Sequence, residues 1–225
     1  MALSVWAIGT GTVDVGISTV IDVTLTAGAA VGDLVSGWMV VQSNGTLSSV
    51  TDTKGNTWTI RTPYVVSTSK YYFVDSVLTT ALEVGDVISM TCSTAANRKY
   101  AVFQAINGQA ASYFDQEGAG ATGTSANPSI TTGTLAQANS VIIGCVYSVF
   151  DQVTVEGANY TGLTTAVLTN RYMHSSYHIV NSTDPDTYAP TLGSSREWQT
   201  NYIVYKGADA PPAIDDEAFC LLGVG

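Results

Sequence analysis

The chain is predicted to be all-β: a single large jelly-roll-like β-sandwich with an internal pseudo-repeat, followed by an extended C-terminal arm. Three observations predict this. Apolar and polar residues alternate with period two through most of the sequence. Gly, Asn and Asp punctuate those runs at short intervals, as in sandwiches and barrels. The first half of the chain also recurs in the second with small deletions. No apolar pattern of helical period runs longer than two turns, so helix is minor.

The repeat shows most clearly at three pairs of landmarks. Gly37 inside Leu34-Val35-Ser36-Gly37-Trp38-Met39-Val40-Val41 is answered by Gly144 inside Val141-Ile142-Ile143-Gly144-Cys145-Val146-Tyr147, an offset of 107 (144 − 37). The turn Asp52-Thr53-Lys54-Gly55 leading to Trp58 is answered by Glu156-Gly157-Ala158-Asn159 leading to Tyr160, an offset of 102 (157 − 55). Arg98 before Tyr100 is answered by Arg196 before Trp198, an offset of 98 (196 − 98). Residues 10–207 are therefore read as the sandwich, with pseudo-repeats at about 10–110 and 111–207. Residues 1–9 are an N-terminal arm and 208–225 the C-terminal arm. An independent sandwich of this kind takes about seven strands, and each half supplies four or five convincing ones. The two halves are thus expected to interleave as Greek keys of one jelly roll.

Element by element, Val13, Val15 and Ile17, then Ile21, Val23 and Leu25, give one or two half-buried strands. Val31-Gly32-Asp33 is a turn before the apolar strand 34–42, and Val84-Gly85-Asp86 repeats it before 87–92. Strands 47–52, 57–61, 70–77 and 98–106 complete the first half. Gly118 to Asn127 reads as a small-residue loop between the halves. The second half is read as strands near 112–115, 128–132, 140–149, 152–155, 163–169, 172–180, 187–191 and 197–205. Beyond Gly207, Pro211-Pro212 favours extended polyproline conformation. The acidic run Asp215-Asp216-Glu217 follows, then the apolar end Ala218-Phe219-Cys220-Leu221-Leu222.

Composition excludes several classes of function. Asp and Glu number 18 against 8 Lys and Arg, for a net charge of −10. Nucleic-acid binding needs clustered cations to neutralise phosphates, and the few here are scattered. No apolar stretch approaches the roughly 20 residues needed to span a bilayer, and the first residues lack a secretory pattern. A chain made in the cytoplasm with no membrane contact is expected. Cys92 and Cys145 lie in apolar strands and are read as core thiols. Charged residues are only 12% of the chain, which suits a surface partly covered by neighbours.

The search for reactive groups predicts no catalytic, cofactor or metal residues. His174 and His178 lie four apart on one strand, roughly 13 Å, too far to share a zinc whose bonds are about 2 Å; both are expected to face solvent. Serines are plentiful, but none sits in a nucleophile elbow. Asp52, Glu83, Asp86, Asp115, Glu117 and Asp151 are candidate carboxylates by type alone, several at turn positions where Asp accepts backbone N–H groups. Tyr71, Tyr72, Tyr172 and Tyr177 are the candidate exposed aromatic surface, suited to protein or glycan contacts. Trp6, Phe219, Leu221 and Leu222, on the two arms, are the candidate partner-binding residues.

Three strings then support a resemblance: Val31-Gly32-Asp33-Leu34-Val35, Val50-Thr51-Asp52-Thr53-Lys54-Gly55-Asn56-Thr57-Trp58 and Ala81-Leu82-Glu83-Val84-Gly85-Asp86-Val87-Ile88. With Ser194-Ser195-Arg196 and Trp198, they resemble a β-sandwich module of tailed-phage structural proteins. The resemblance covers roughly residues 10 to 207 and implies a virion component. A capsid decoration (cement) protein is the first expectation, a homo-oligomer bound to the major capsid protein or other virion proteins. A head-fibre, tail or glycan-binding component is the alternative.

Overall fold

The computed structural model describes residues 2–13, 18–42, 45–93 and 98–208, and among them there is no helix. In the first half the strands are β1 (Ser4–Val13), β2 (Val20–Thr24), β3 (Leu34–Val41), β4 (Leu47–Asp52), β5 (Thr59–Ile60), β6 (Tyr64–Val66), β7 (Ser69–Val77), β8 (Val87–Cys92) and β9 (Lys99–Asn107). In the second half they are β10 (Gln109–Glu117), β11 (Ala121–Ser125), β12 (Ile130–Thr131), β13 (Ser140–Val149), β14 (Val153–Val155), β15 (Thr161–Leu168), β16 (Arg171–Val180), β17 (Thr187–Tyr188), β18 (Thr191–Leu192) and β19 (Arg196–Gly207). The expected all-β sandwich class is observed.

The repeat is visible in the strand order. The large sheet of the first half runs β1-β9-β3-β7-β5, and that of the second runs β10-β19-β13-β16-β15. A smaller layer closes each: β2-β8-β4 in the first half, and the ribbons β12-β17 and β14-β18 in the second. The counterpart of β8 is split in two because Pro190, between β17 and β18, has no N–H for a ladder. Among the described residues every ladder pairs strands of the same half. Closure therefore occurs within each half, and the Greek keys do not interleave.

What joins the halves is a seam between the two large sheets. Odd and even positions of the central strands face different interiors. Leu34, Trp38 and Val40 of β3 point into the seam with Val141, Ile143, Cys145 and Tyr147 of β13. Val35, Met39 and Val41 point into the first sandwich, and Ile142 and Val146 into the second. Strands covered on both faces read as continuous apolar runs, which is why all eight residues of β3 are buried. Four layers and three apolar interiors result.

Two expectations about the ends change. Residues 4–9, read as an arm, belong to β1, which pairs with β9 along its whole length. The small-residue loop holds β11, paired with β19 from Ala121↔Thr200 to Ser125↔Arg196. Its small side chains leave room for the Trp198 ring, which packs beside Gly123. The C-terminal arm, with Phe219, Leu221 and Leu222, lies outside the described residues beyond Ala208.

Candidate functional site

Two matched turns build the most distinctive surface of the first sandwich. In each, a glycine adopts a left-handed backbone, φ 89° at Gly32 and 93° at Gly85, which a side chain would resist. The aspartate that follows folds back to accept the amide three residues earlier: Ala30 N–H to Asp33 Oδ2 and Glu83 N–H to Asp86 Oδ2, both 2.7 Å. Asn107 holds the other oxygen of Asp33 at 2.6 Å, and Thr53 that of Asp86 at 2.7 Å. The Glu83 amide and the Thr53 hydroxyl keep the Asp86 carboxyl below the usual carboxylate range.

An antiparallel bridge between Ala29 and Leu82 joins the two loops, with the Leu25 N–H bonded to the Asp86 carbonyl beyond one side of it and the Leu78 N–H to the Asp33 carbonyl beyond the other. The two turns thus stand at opposite ends of one short ladder, four positions or roughly 13 Å apart. Their valines project outward, Val31 63% exposed and Val84 70% exposed. The second half does not repeat this. At the offset of 107, Val31 is answered by Ala138; at the offset of 100 that matches Asp86 to Asp186, Val84 is answered by Asp184. The same backbone role is kept at both places, since Asp86 C=O accepts Leu25 N–H and Asp186 C=O accepts Thr132 N–H, each at 2.8 Å. The apolar pair is peculiar to one end of the molecule.

The aromatic surface expected from Tyr71, Tyr72, Tyr172 and Tyr177 is not formed. Tyr71 and Tyr72 are each 2% exposed and point to opposite faces of β7, into the seam and the first sandwich. Tyr172 and Tyr177 are half-buried and, five apart on β16, also lie on opposite faces. Trp6 is half-buried on β1 against the first core, its Nε1 donating to the Gly28 carbonyl at 3.0 Å. It is a packed strand residue and not part of a free arm.

The histidine expectation is corrected at one position. His174 is buried at 8% exposure, and His178 is half-buried. His174 Nε2 lies 2.9 Å from Glu156 Oε1, and its Nδ1 lies 2.7 Å from Thr165 Oγ1. Ser176 donates to Glu156 Oε2 at 2.6 Å. His178 Nδ1 lies 2.7 Å from Asp186 Oδ2, and the Tyr160 hydroxyl donates to the same oxygen at 3.2 Å. Each histidine thus ties a carboxylate of the outer layer to the large sheet. Sequence spacing missed this because the carboxylates come from loops 18 and 8 positions away.

Thr165, His174 and Glu156 line up as hydroxyl, imidazole and carboxylate, but acyl transfer also needs free N–H donors for an oxyanion. Thr165 lies mid-strand, in register opposite His174, without the exposed turn that presents such donors. The carboxylates singled out in the sequence act mainly as turn braces. Asp52 accepts from Lys54 N–H and from Trp58 Nε1, both at 2.8 Å, Asp115 from Ala136 N–H at 2.9 Å, and Asp151 from Ser194 at 2.7 Å. Arg196 stands 6.0 Å over the Phe150 ring and not over Trp198. Cys92 and Cys145 are buried free thiols. Among the described residues no group of His, Cys, Asp and Glu is arranged to hold a metal.

Compared with family models, curated proteins and solved structures, the chain matches no family model, no curated protein and no solved structure.

Proposed function

We propose that this chain is a bacteriophage structural protein, a decoration or cement protein that docks on the assembled head and stabilises it. The observation that carries the reading is the pair Val31 and Val84, held outward on two braced turns at one end of a stacked double sandwich. Rigid turns lose little freedom on docking, so the contact keeps most of its burial free energy. The polar chemistry supports the same reading: its hydrogen bonds run inward and brace strands. The motifs that resemble phage structural modules include these very turns. Partners would be the major capsid protein or another virion protein, with the chain made in the host cytoplasm and carried in the virion as a homo-oligomer. Stabilisation follows from mass action, since a ligand that binds the assembled shell and not its free subunits shifts assembly toward the shell.

Cosedimentation with heads of the virus that encodes the chain tests this. Burying two valines contributes about 3 kcal/mol, so Val31→Asp with Val84→Asp is expected to weaken docking by about a hundredfold. Particles lacking the protein are expected to break at lower temperature or salt stress. Full docking by the double variant, or unchanged shell stability, refutes the reading. A fibre or tail component that touches a glycan is the second reading, favoured by a polar cleft between the two halves.

A further inference from the structure

That cleft opens at one end of the seam, with a cavity of about 230 Å³. Its walls come from both halves. Gln42, Tyr71 and the turn Val66-Ser67-Thr68-Ser69 stand on one side, and Tyr147, Val149, Arg171, Glu197 and Gln199 on the other. The two tyrosines form the floor edge to face, ring centres 6.0 Å apart. Their hydroxyls are tied to the flanking amides: Tyr71 donates to Gln199 Oε1 at 3.0 Å, and Gln42 Nε2 donates to Tyr147 at 3.0 Å. Gln199 Nε2 in turn donates to Glu197 Oε1 at 3.2 Å. The Arg171 Nε is buried, with no hydrogen-bond partner among the described residues.

The pseudo-repeat shows that these groups are not the module's scaffold. At the offset of 102 that matches the turns, Arg171 answers Ser69; at the offset of 107, Val149 answers Gln42; and at the offset of 99 that the registers give β9 and β19 (202 − 103), Glu197 answers Arg98. Core positions keep their apolar character across the halves, yet at the cleft mouth each pair differs in charge or polarity. A scaffold role repeated in both halves would not require that.

We propose that the cleft binds one neutral pyranose ring of a glycan. Sugar hydroxyls both donate and accept, so they need a wall that mixes the two functions. Arg supplies donors only, a carboxylate acceptors only, and Gln both. Here one guanidinium, one carboxylate and two amides converge within a single-ring volume. Arg171 and Glu197 carry opposite charges, so the wall has no net charge to select an acidic or a basic ligand. The site serves a head-bound or a tail-bound protein alike and does not rest on the docking reading.

Titration calorimetry and protein NMR with methyl glucoside, methyl galactoside, methyl mannoside and N-acetylglucosamine test it, with glucuronate as the acidic comparator. At least one neutral sugar is expected to bind saturably and to shift the side-chain resonances of Arg171 and Gln199. Glu197→Gln, which is near-isosteric, and Arg171→Lys, which keeps the charge but loses the guanidinium fork, are each expected to weaken it about tenfold, the loss of one charge-assisted hydrogen bond. Val31→Asp with Val84→Asp leaves sugar affinity unchanged, which separates this site from the docking tip. No binding by any sugar, full affinity in both cleft variants at unchanged melting temperature, or a preference for glucuronate overturns the proposal.

Discussion

Tyr113 of the second half donates its hydroxyl to Asp75 Oδ1 of the first at 2.7 Å, across the seam. Asp75 is fully buried, and Arg61 grips it through Nε at 2.6 Å and a second nitrogen at 3.1 Å. The Arg61 guanidinium also lies 3.6 Å over the ring of Phe114, Tyr113's neighbour on β10. One carboxylate thus serves an ion pair within its own half and a hydrogen bond to the other half. Burial first, and the Asp75 carboxylate second, push the Tyr113 hydroxyl up to about 12.

Asp75→Asn is therefore expected to be strongly destabilising. It leaves the largely buried Arg61 charge facing an amide in place of a carboxylate, and breaking a buried pair costs about 3–5 kcal/mol. Tyr113→Phe removes only the bond across the seam and is expected to cost about 1–2 kcal/mol. Urea unfolding of both variants checks this. Equal losses would show that the seam bond, and not the ion pair, dominates.

Gln104 presents the opposite case. It lies fully buried on the seam face of β9 between Val102 and Ile106, and neither of its amide atoms has a partner among the described residues. An unpaired buried amide costs about 1–3 kcal/mol. Gln104→Met keeps the length of the chain and removes the polar head, so it is expected to raise stability by about 1 kcal/mol, read as a higher urea midpoint at unchanged m. Loss of stability would mean that the amide makes bonds an apolar chain cannot replace.

Two glutamates are expected to give pH dependences of opposite sign. Burial raises the Glu117 carboxyl above its ordinary value against the pull of Arg61, and Asp75 raises it further. The folded state then holds a proton that the unfolded state releases. Stability falls as pH rises from the ordinary carboxylate value through the raised one. Burial also pushes Glu156 upward, but bonds from His174 and Ser176 outweigh it and the net shift is downward. Its contribution is present above the ordinary value and is lost as pH falls through the depressed one. At pH 7, Glu117→Gln is expected to be more stable than the parent and Glu156→Gln less stable, with both differences shrinking by pH 3. Thermal melts across that range decide, and a shared sign refutes the assignment.

The features legible in the sequence were those that depend on neighbours along the chain. Alternation and apolar runs located β3, β8, β13 and β16 to within a residue or two, and the Val-Gly-Asp strings marked turns whose geometry is local. The layer arrangement was less legible, because it depends on which face of a strand is covered. The signal was present: Leu34–Val41 is apolar at successive positions, and a strand needs that only when both faces are buried. β1 was overlooked because Gly9-Thr10-Gly11-Thr12 has weak strand preference and is held by pairing with β9, some ninety positions away. The burial of Tyr71, Tyr72 and His174 was hidden for the same reason. The fold and not the spacing brings Gln199 to the Tyr71 hydroxyl and Glu156 to the His174 imidazole, and it turns Tyr72 into the first core.

Gly37 and Gly144 give the sharpest test of the repeat, because both exist to admit an aromatic ring. A Cβ at Gly37 would stand 2.3 Å from the Phe103 ring, and one at Gly144 would stand 2.5 Å from the Tyr188 ring. The rings come from different places. Phe103 belongs to β9, the neighbouring strand of the same sheet, whereas Tyr188 comes from β17 in the outer layer. Each ring is held by the aromatic that follows the matched turn, Trp58 edge-on to Phe103 at 5.9 Å and Tyr160 against Tyr188 at 4.9 Å. The position is kept while its occupant is recruited anew in each half. Gly37→Ala and Gly144→Ala are each expected to cost about 1–3 kcal/mol through overpacking. They act in separate interiors with no shared partner, so the double variant is expected to lose the sum within about 0.5 kcal/mol. A double loss well short of that sum, measured by urea unfolding, would mean that the two sandwiches unfold as separate units and not as one four-layer body.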